Sequence, residues 1–286
     1  MFDPYRKFVT CIFCGKRGPL TREHLFGDSF AQFLRVEQNW VAPQIVPKRA
    51  QAVQIKRGSS PITHVAPPLL CGACNSGQLG LVMSQSLPLL KKLCTGEPTD
   101  LTGDDRIALR RYCERFGSIV DVCTSSEQVE EMTPQQAQSF QAQLQHQKPA
   151  VVSFAARSAW LQGAALESVK VYVGHHQGIL GLNPDFNVTH QPEFDGSWKR
   201  ITFIVWKLAV CIDIGQPDLV IPTSFVGLSE LQHFPVAPAV SYDDYLALRH
   251  QDQPTLYLRT FLRFPEIVRN WEAHVRSGKR PDDFWE

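Results

Sequence analysis

The sequence predicts an α+β fold, a small metal-organised module at the N-terminus followed by a mixed helical and antiparallel-β region. Three observations lead there. Two Cys-x-x-Cys pairs, Cys11/Cys14 and Cys71/Cys74, supply four thiolates, the number and type of ligand that a closed tetrahedral Zn²⁺ site takes. Residues 104–122 then carry apolar side chains at helical spacing, and beyond Pro149 the pattern changes to strand-like runs rich in Ile, Val and Phe. With 286 residues and 43% hydrophobic content the chain can bury a sizeable core, and its length favours two modest domains, 1–95 and 104–286.

Taken in order, Phe8 to Phe13 reads as a short strand entering the first cysteine pair, and Gly15 to Gly18 as the tight turn that lets both thiolates face one ion. Glu23 to Val36 has Leu25, Phe26, Phe30, Phe33 and Leu34 near helical spacing, with Gly27 weakening the first turn. Val41 to Val65 carries three prolines and alternates apolar and polar residues over 52–56. It reads as a strand pair with a basic turn, Lys56-Arg57-Gly58-Ser59-Ser60. After Pro67-Pro68 the second cysteine pair leads into a helix over Asn75 to Leu93, with an interruption expected near Pro88.

Thr95 to Gly103, rich in Gly, Pro, Thr and Asp, reads as a boundary. Asp104 to Val122 has a helical stripe of Ile107, Leu109, Tyr112, Phe116, Ile119 and Val120, and Thr133-Pro134 signals the start of another helix. The glutamine-rich 135–147 is compatible with a surface helix. Strands are expected at Ser168 to Val173, as one long run over Ile201 to Ile214, and near Leu219 to Phe225. An amphipathic helix is expected over Pro265 to Ser277.

The net charge of +1 conceals an asymmetry. Residues 1–95 hold 12 Lys/Arg against 4 Asp/Glu, and the remainder holds 17 against 24. A basic segment attracts phosphate backbones and releases counterions on binding, so the cysteine-bearing half points to nucleic acid as its partner, with a solvated basic face as the plain alternative. No run approaches the roughly 18 apolar residues that a membrane span needs, and residues 1–10 lack an apolar signal core. Four further cysteines, Cys94, Cys113, Cys123 and Cys211, show no recurring spacing. These features lead to the expectation of a cytoplasmic, reducing location with no membrane partner.

Glu23 and His24 follow the first cysteine pair, and Asn75 follows Cys74 directly. A carboxylate, an imidazole and a carboxamide held in one zinc frame form a candidate hydrolytic site. Together Cys11, Cys14, Glu23, His24, Cys71, Cys74 and Asn75 resemble the HNH, or ββα-metal, nuclease superfamily, and within it the four-cysteine branch that includes phage resolvases of branched DNA. The text around them also looks like bacterial HNH proteins with a C-terminal extension; the specific motifs cover only residues 8–80. The resemblance implies a ββα-metal, treble-clef-like module with structural Zn²⁺ on the four cysteines. It further implies His24 as general base and Glu23 and Asn75 as holders of a catalytic Mg²⁺ or Mn²⁺, cutting DNA.

The chemistry is consistent with that division. An imidazole with a pKa near 6.5 can accept a proton from water at neutral pH, and carboxylate and carboxamide oxygens are hard ligands that suit Mg²⁺ or Mn²⁺. Two departures from the pattern stand out: the acidic residue is Glu where the branch often has Asp, and the final His of the standard motif has no counterpart before His146.

Lys16, Arg17, Arg22, Lys56 and Arg57 are candidate phosphate contacts. His64 is a weaker candidate ligand. His175 and His176 are adjacent on a strand and so face opposite ways, which argues against shared ligation. The C-terminal domain is expected to serve targeting, regulation through a protein partner, or self-association. By analogy alone the setting is anti-phage defence or a mobile element. A non-catalytic zinc module that binds nucleic acid or protein, and an RNA-directed nuclease, are the competing readings.

Overall fold

Two strands buried along their whole length organise the fold. In the computed structural model, which describes residues 10–22, 28–33, 68–123, 150–177, 185–189, 198–215, 220–241, 244 and 248, the elements in chain order begin with β1 (Leu20–Arg22), α1 (Asp28–Phe33), β2 (Pro68–Cys71) and α2 (Gly72–Ser76). They continue with α3 (Gln78–Thr95), β3 (Thr99–Asp100), α4 (Gly103–Cys123) and α5 (Phe154–Leu161), then β4 (Val169–His175), β5 (Asp185–Thr189), β6 (Lys199–Val205), β7 (Leu208–Ile214), β8 (Phe225–Gly227) and β9 (His233–Phe234). The fold is mixed α/β with antiparallel sheets.

The main sheet has the order β5-β6-β7-β4-β8, antiparallel throughout. Every residue of β6 and β7 is buried, and the period of two sorts them between two cores. Ile201, Phe203 and Val205 with Leu208, Val210, Ile212 and Ile214 join the large core, which also receives Tyr112, Phe116, Ile119 and Val120 of α4 and Leu90 and Leu93 of α3. Ile204, Ala209 and Cys211 face a smaller cluster with Phe225, Val240 and Leu248. The large core continues into Cys11, Ile12, Phe13, Leu69, Leu70 and Cys74, so both parts of the chain contribute to one cluster.

Several local expectations are corrected. Residues 12–14 form a turn instead of the end of a strand, because Cys11 N–H donates to Lys16 O and Gly15 N–H to Cys11 O. The Asn75 to Leu93 helix is two helices. Its break lies at Gly77, where a Cβ would come within 2.4 Å of the Ala73 carbonyl oxygen. Pro88 does not interrupt α3; it sits on the exposed face, where water can take the carbonyl left unpaired by its missing N–H. The helix instead ends at Gly96, whose φ of 75° suits a left-handed cap.

The run 201–214 is a hairpin, β6 and β7, closed by the two-residue turn Trp206-Lys207. Trp206 takes φ 53°, a conformation usually left to glycine, so the turn carries no glycine or asparagine to announce it. The expected boundary at 95–103 contains β3, which pairs with β9. Residues 220–224 are not strand; β8 begins at Phe225.

The expected helix over 104–122 appears as α4, and the expected strand over 168–173 as β4. Of the helix expected over 23–36, only Asp28–Phe33 lies among the described residues. The strand pair of 41–65, the helix at Thr133-Pro134, the glutamine-rich run and the C-terminal helix lie outside them. Among the described residues no helix is long and apolar enough to cross a membrane.

Candidate metal centre and adjoining polar site

The two cysteine pairs lie 57 positions apart, and β1 and β2 bring them together. Their antiparallel register pairs Leu20 with Cys71, Thr21 with Leu70 and Arg22 with Pro68. Ile12 N–H donates to Leu69 O at 3.1 Å and ties the first knuckle to the same strand. The knuckle is closed by the Thr10–Arg17 bridge and by Gly15 at φ 70°. That φ favours glycine, and a side chain at Gly15 would also meet the tip of the exposed Phe154 ring at 2.8 Å, which would have to shift.

The four Sγ atoms of Cys11, Cys14, Cys71 and Cys74 all lie within 4.8 Å of one another, and those of Cys14 and Cys71 are 3.6 Å apart. A tetrahedral ion with Zn–S bonds of about 2.3 Å places its sulfurs about 3.8 Å apart, whereas a disulfide needs about 2.05 Å. All four cysteines are free thiols, positioned to hold a metal ion such as zinc.

The electrostatics of the bare cluster show what a cation adds. Burial, with neighbouring thiols, pushes Cys74 well above the ordinary thiol pKa, and burial also raises Cys14. At Cys71 burial acts in the same direction, but the Cys74 backbone N–H and the thiols of Cys14, Cys74 and Cys11 outweigh it and lower its pKa. A divalent charge at the centre of the cluster would offset the burial that opposes ionisation of these thiols.

The knuckle is seated on α5. Arg157, fully buried, donates from Nε to Ile12 O at 2.9 Å and from Nη1 to Val152 O. The Phe13 ring lies 5.4 Å from that of Trp160, whose Nε1–H donates to Glu114 of α4 at 2.7 Å. Arg157 and Trp160 are structural residues that the sequence reading did not single out, since nothing in the local pattern of α5 distinguishes them.

Asn75 lies on α2, one residue past the last thiol, and is half-buried. Its Nδ2 donates to Thr21 Oγ1 at 3.0 Å, and Thr21 Oγ1 donates to Leu70 O at 2.9 Å. Asn75 is thereby attached to β1, the strand that runs into Glu23 and His24. The carboxamide oxygen, a hard donor of the kind Mg²⁺ or Mn²⁺ takes, is the end of the amide not engaged by Thr21. Thr21 was also not singled out from sequence, although a β-branched hydroxyl residue two positions before Glu23 is a signal that could have found it.

Glu23, His24, Lys56, Arg57 and His64 lie outside the described residues. Lys16 and Arg17 are exposed at the knuckle; Arg22 ends β1. His175 packs edge-on against Phe234, while His176 Nδ1 lies 3.3 Å from Trp206 O, so the two rings have separate surroundings. No protein-family profile, curated protein or solved structure matches this chain.

Proposed function

We propose that the chain is a metal-dependent endonuclease of the HNH type, built on a treble-clef-like ββα-metal module, that hydrolyses DNA phosphodiester bonds. The observation that carries this reading is the link from Asn75 to β1: the carboxamide beside the four-thiol frame is hydrogen-bonded to the strand whose next two residues are Glu23 and His24. In the reading, His24 takes a proton from a water molecule as the water oxygen bonds to phosphorus and the bond to the departing 3′ oxygen breaks. Glu23 and Asn75 supply oxygen ligands. A divalent cation held there would neutralise charge on the phosphoryl oxygens. Lys16, Arg17, Arg22, Lys56 and Arg57 are the proposed phosphate contacts, consistent with the basic balance of residues 1–95.

The test is cleavage of a supercoiled plasmid by wild-type and His24→Ala protein in Mg²⁺, Mn²⁺ or EDTA, with zinc measured on the same samples. Nicking or linearisation by wild type that needs the added cation and falls at least 100-fold in the variant, at unchanged zinc, is the expected result. DNA binding without cleavage by wild type would favour a non-catalytic zinc module. Cleavage of RNA in preference to DNA would reassign the substrate.

A further inference from the structure

Thr21 has one hydroxyl proton and spends it on a carbonyl. Leu70 O can only accept, so the 2.9 Å bond between them fixes Thr21 Oγ1 as the donor there. The oxygen that remains can only accept, and its partner at 3.0 Å is the Asn75 side chain. An amide has a donor end and an acceptor end, and only the donor end satisfies this oxygen. Leu70 O therefore sets the polarity of Thr21, and Thr21 sets the polarity of Asn75.

From this relay we infer that Thr21 is a positioning residue that locks the Asn75 carboxamide with its NH₂ toward β1 and its oxygen turned away, available to a divalent cation. The inference rests on the proposed endonuclease reading and deepens it. Its physical content is a choice between two rotamers. Without the acceptor on Thr21, the amide can turn by half a revolution about its terminal bond and present NH₂ where the cation needs oxygen. The lock is built on paired β-strand backbone, since Thr21 and Leu70 are register partners. Cys71 follows Leu70 directly on β2, so a zinc ion held by the four cysteines would help keep the register that the relay requires.

The experiment is Mn²⁺ binding followed by electron paramagnetic resonance on the zinc-loaded full chain, comparing wild type, Thr21→Ser, Thr21→Val and Asn75→Ala. Serine keeps the relay and valine keeps the shape without it. The expected result is Mn²⁺ binding by Thr21→Val about fivefold weaker than wild type, the equivalent of about 1 kcal/mol for one net hydrogen bond. Thr21→Ser should stay within twofold of wild type, and zinc should be equal in all four proteins. Thr21→Val binding Mn²⁺ as wild type does, while Asn75→Ala binds it more weakly, would overturn the lock and leave the cation site standing. Wild type binding no more Mn²⁺ than Asn75→Ala would overturn the site itself and the lock with it. Equal weakening in Thr21→Ser and Thr21→Val would also overturn the lock, because it would trace the effect to strand packing instead of the hydroxyl.

Discussion

Arg200 and Asp213 sit directly opposite each other on β6 and β7 and form a bidentate pair, Nε to Oδ1 at 2.6 Å and Nη2 to Oδ2 at 2.7 Å, with both side chains buried. Their neighbour Lys199 points to the other face and reaches Asp121 of α4 at 2.6 Å. Asp121 in turn accepts the backbone N–H groups of Val151 and Val152, so one carboxylate joins α4, β6 and the segment entering α5. Two charges taken out of water are held by their mutual attraction and hydrogen bonds, and removing one leaves the other uncompensated. Asp213→Ala is therefore expected to cost about 3–5 kcal/mol, whereas the double change Arg200→Met with Asp213→Leu should cost less than the single one. Urea denaturation of the three proteins measures both. The double variant proving the less stable would mean that the pair contributes net stability instead of merely requiring both members.

At the scale of elements, Gly77 decides where Asn75 sits. Its N–H donates to Ala73 O at 3.1 Å and its own carbonyl accepts from Leu81 N–H, so the residue caps α2 and α3 alike. Gly77→Ala would drive a methyl to 2.4 Å from Ala73 O and should destabilise by about 1–3 kcal/mol. Gly72→Ala, on the same short helix with nothing within 4 Å of the added carbon, should be neutral or slightly stabilising. Thermal melts of the two alanine variants separate a local clash from a general effect of glycine replacement. The same comparison shows what the sequence could disclose. The stripe of α4 is a local periodicity and β4 a local run of strand-forming residues, and both were legible. The β1–β2 pairing was not, because its partners lie some 50 positions apart and local pattern carries no register between distant strands. The β6–β7 turn was hidden for a different reason: Trp206 holds a left-handed conformation that its residue type argues against, and its ring lies 5.3 Å from that of Phe33 on α1.

For the whole molecule, the four-thiol cluster was legible in full from spacing alone; the seat of the cluster was not. The knuckle does not stand apart from the main sheet. Phe13 and Trp160, and Arg157 and Ile12, join the knuckle to α5, while Phe33 and Trp206, and Lys207 N–H donating to Cys94 O at 3.1 Å, join α1 and α3 to the β6–β7 turn. A metal ion bound by the cysteines would thus stabilise a core that extends through α3 and α4 to the sheet. Zinc binding energy in small modules is of order 10 kcal/mol, and in a chain of this size each 1 kcal/mol moves Tm by about 2–4 °C. Cys71→Ser, which removes one thiolate, is expected to lower the Tm of the entire unfolding transition by about 10 °C, read together by near-ultraviolet circular dichroism and tryptophan fluorescence. Both signals should shift as one. An early transition confined to a fraction of either signal, with the rest melting as in wild type, would show that the knuckle unfolds on its own and that the contacts of Arg157 and Trp160 do not couple it to the sheet.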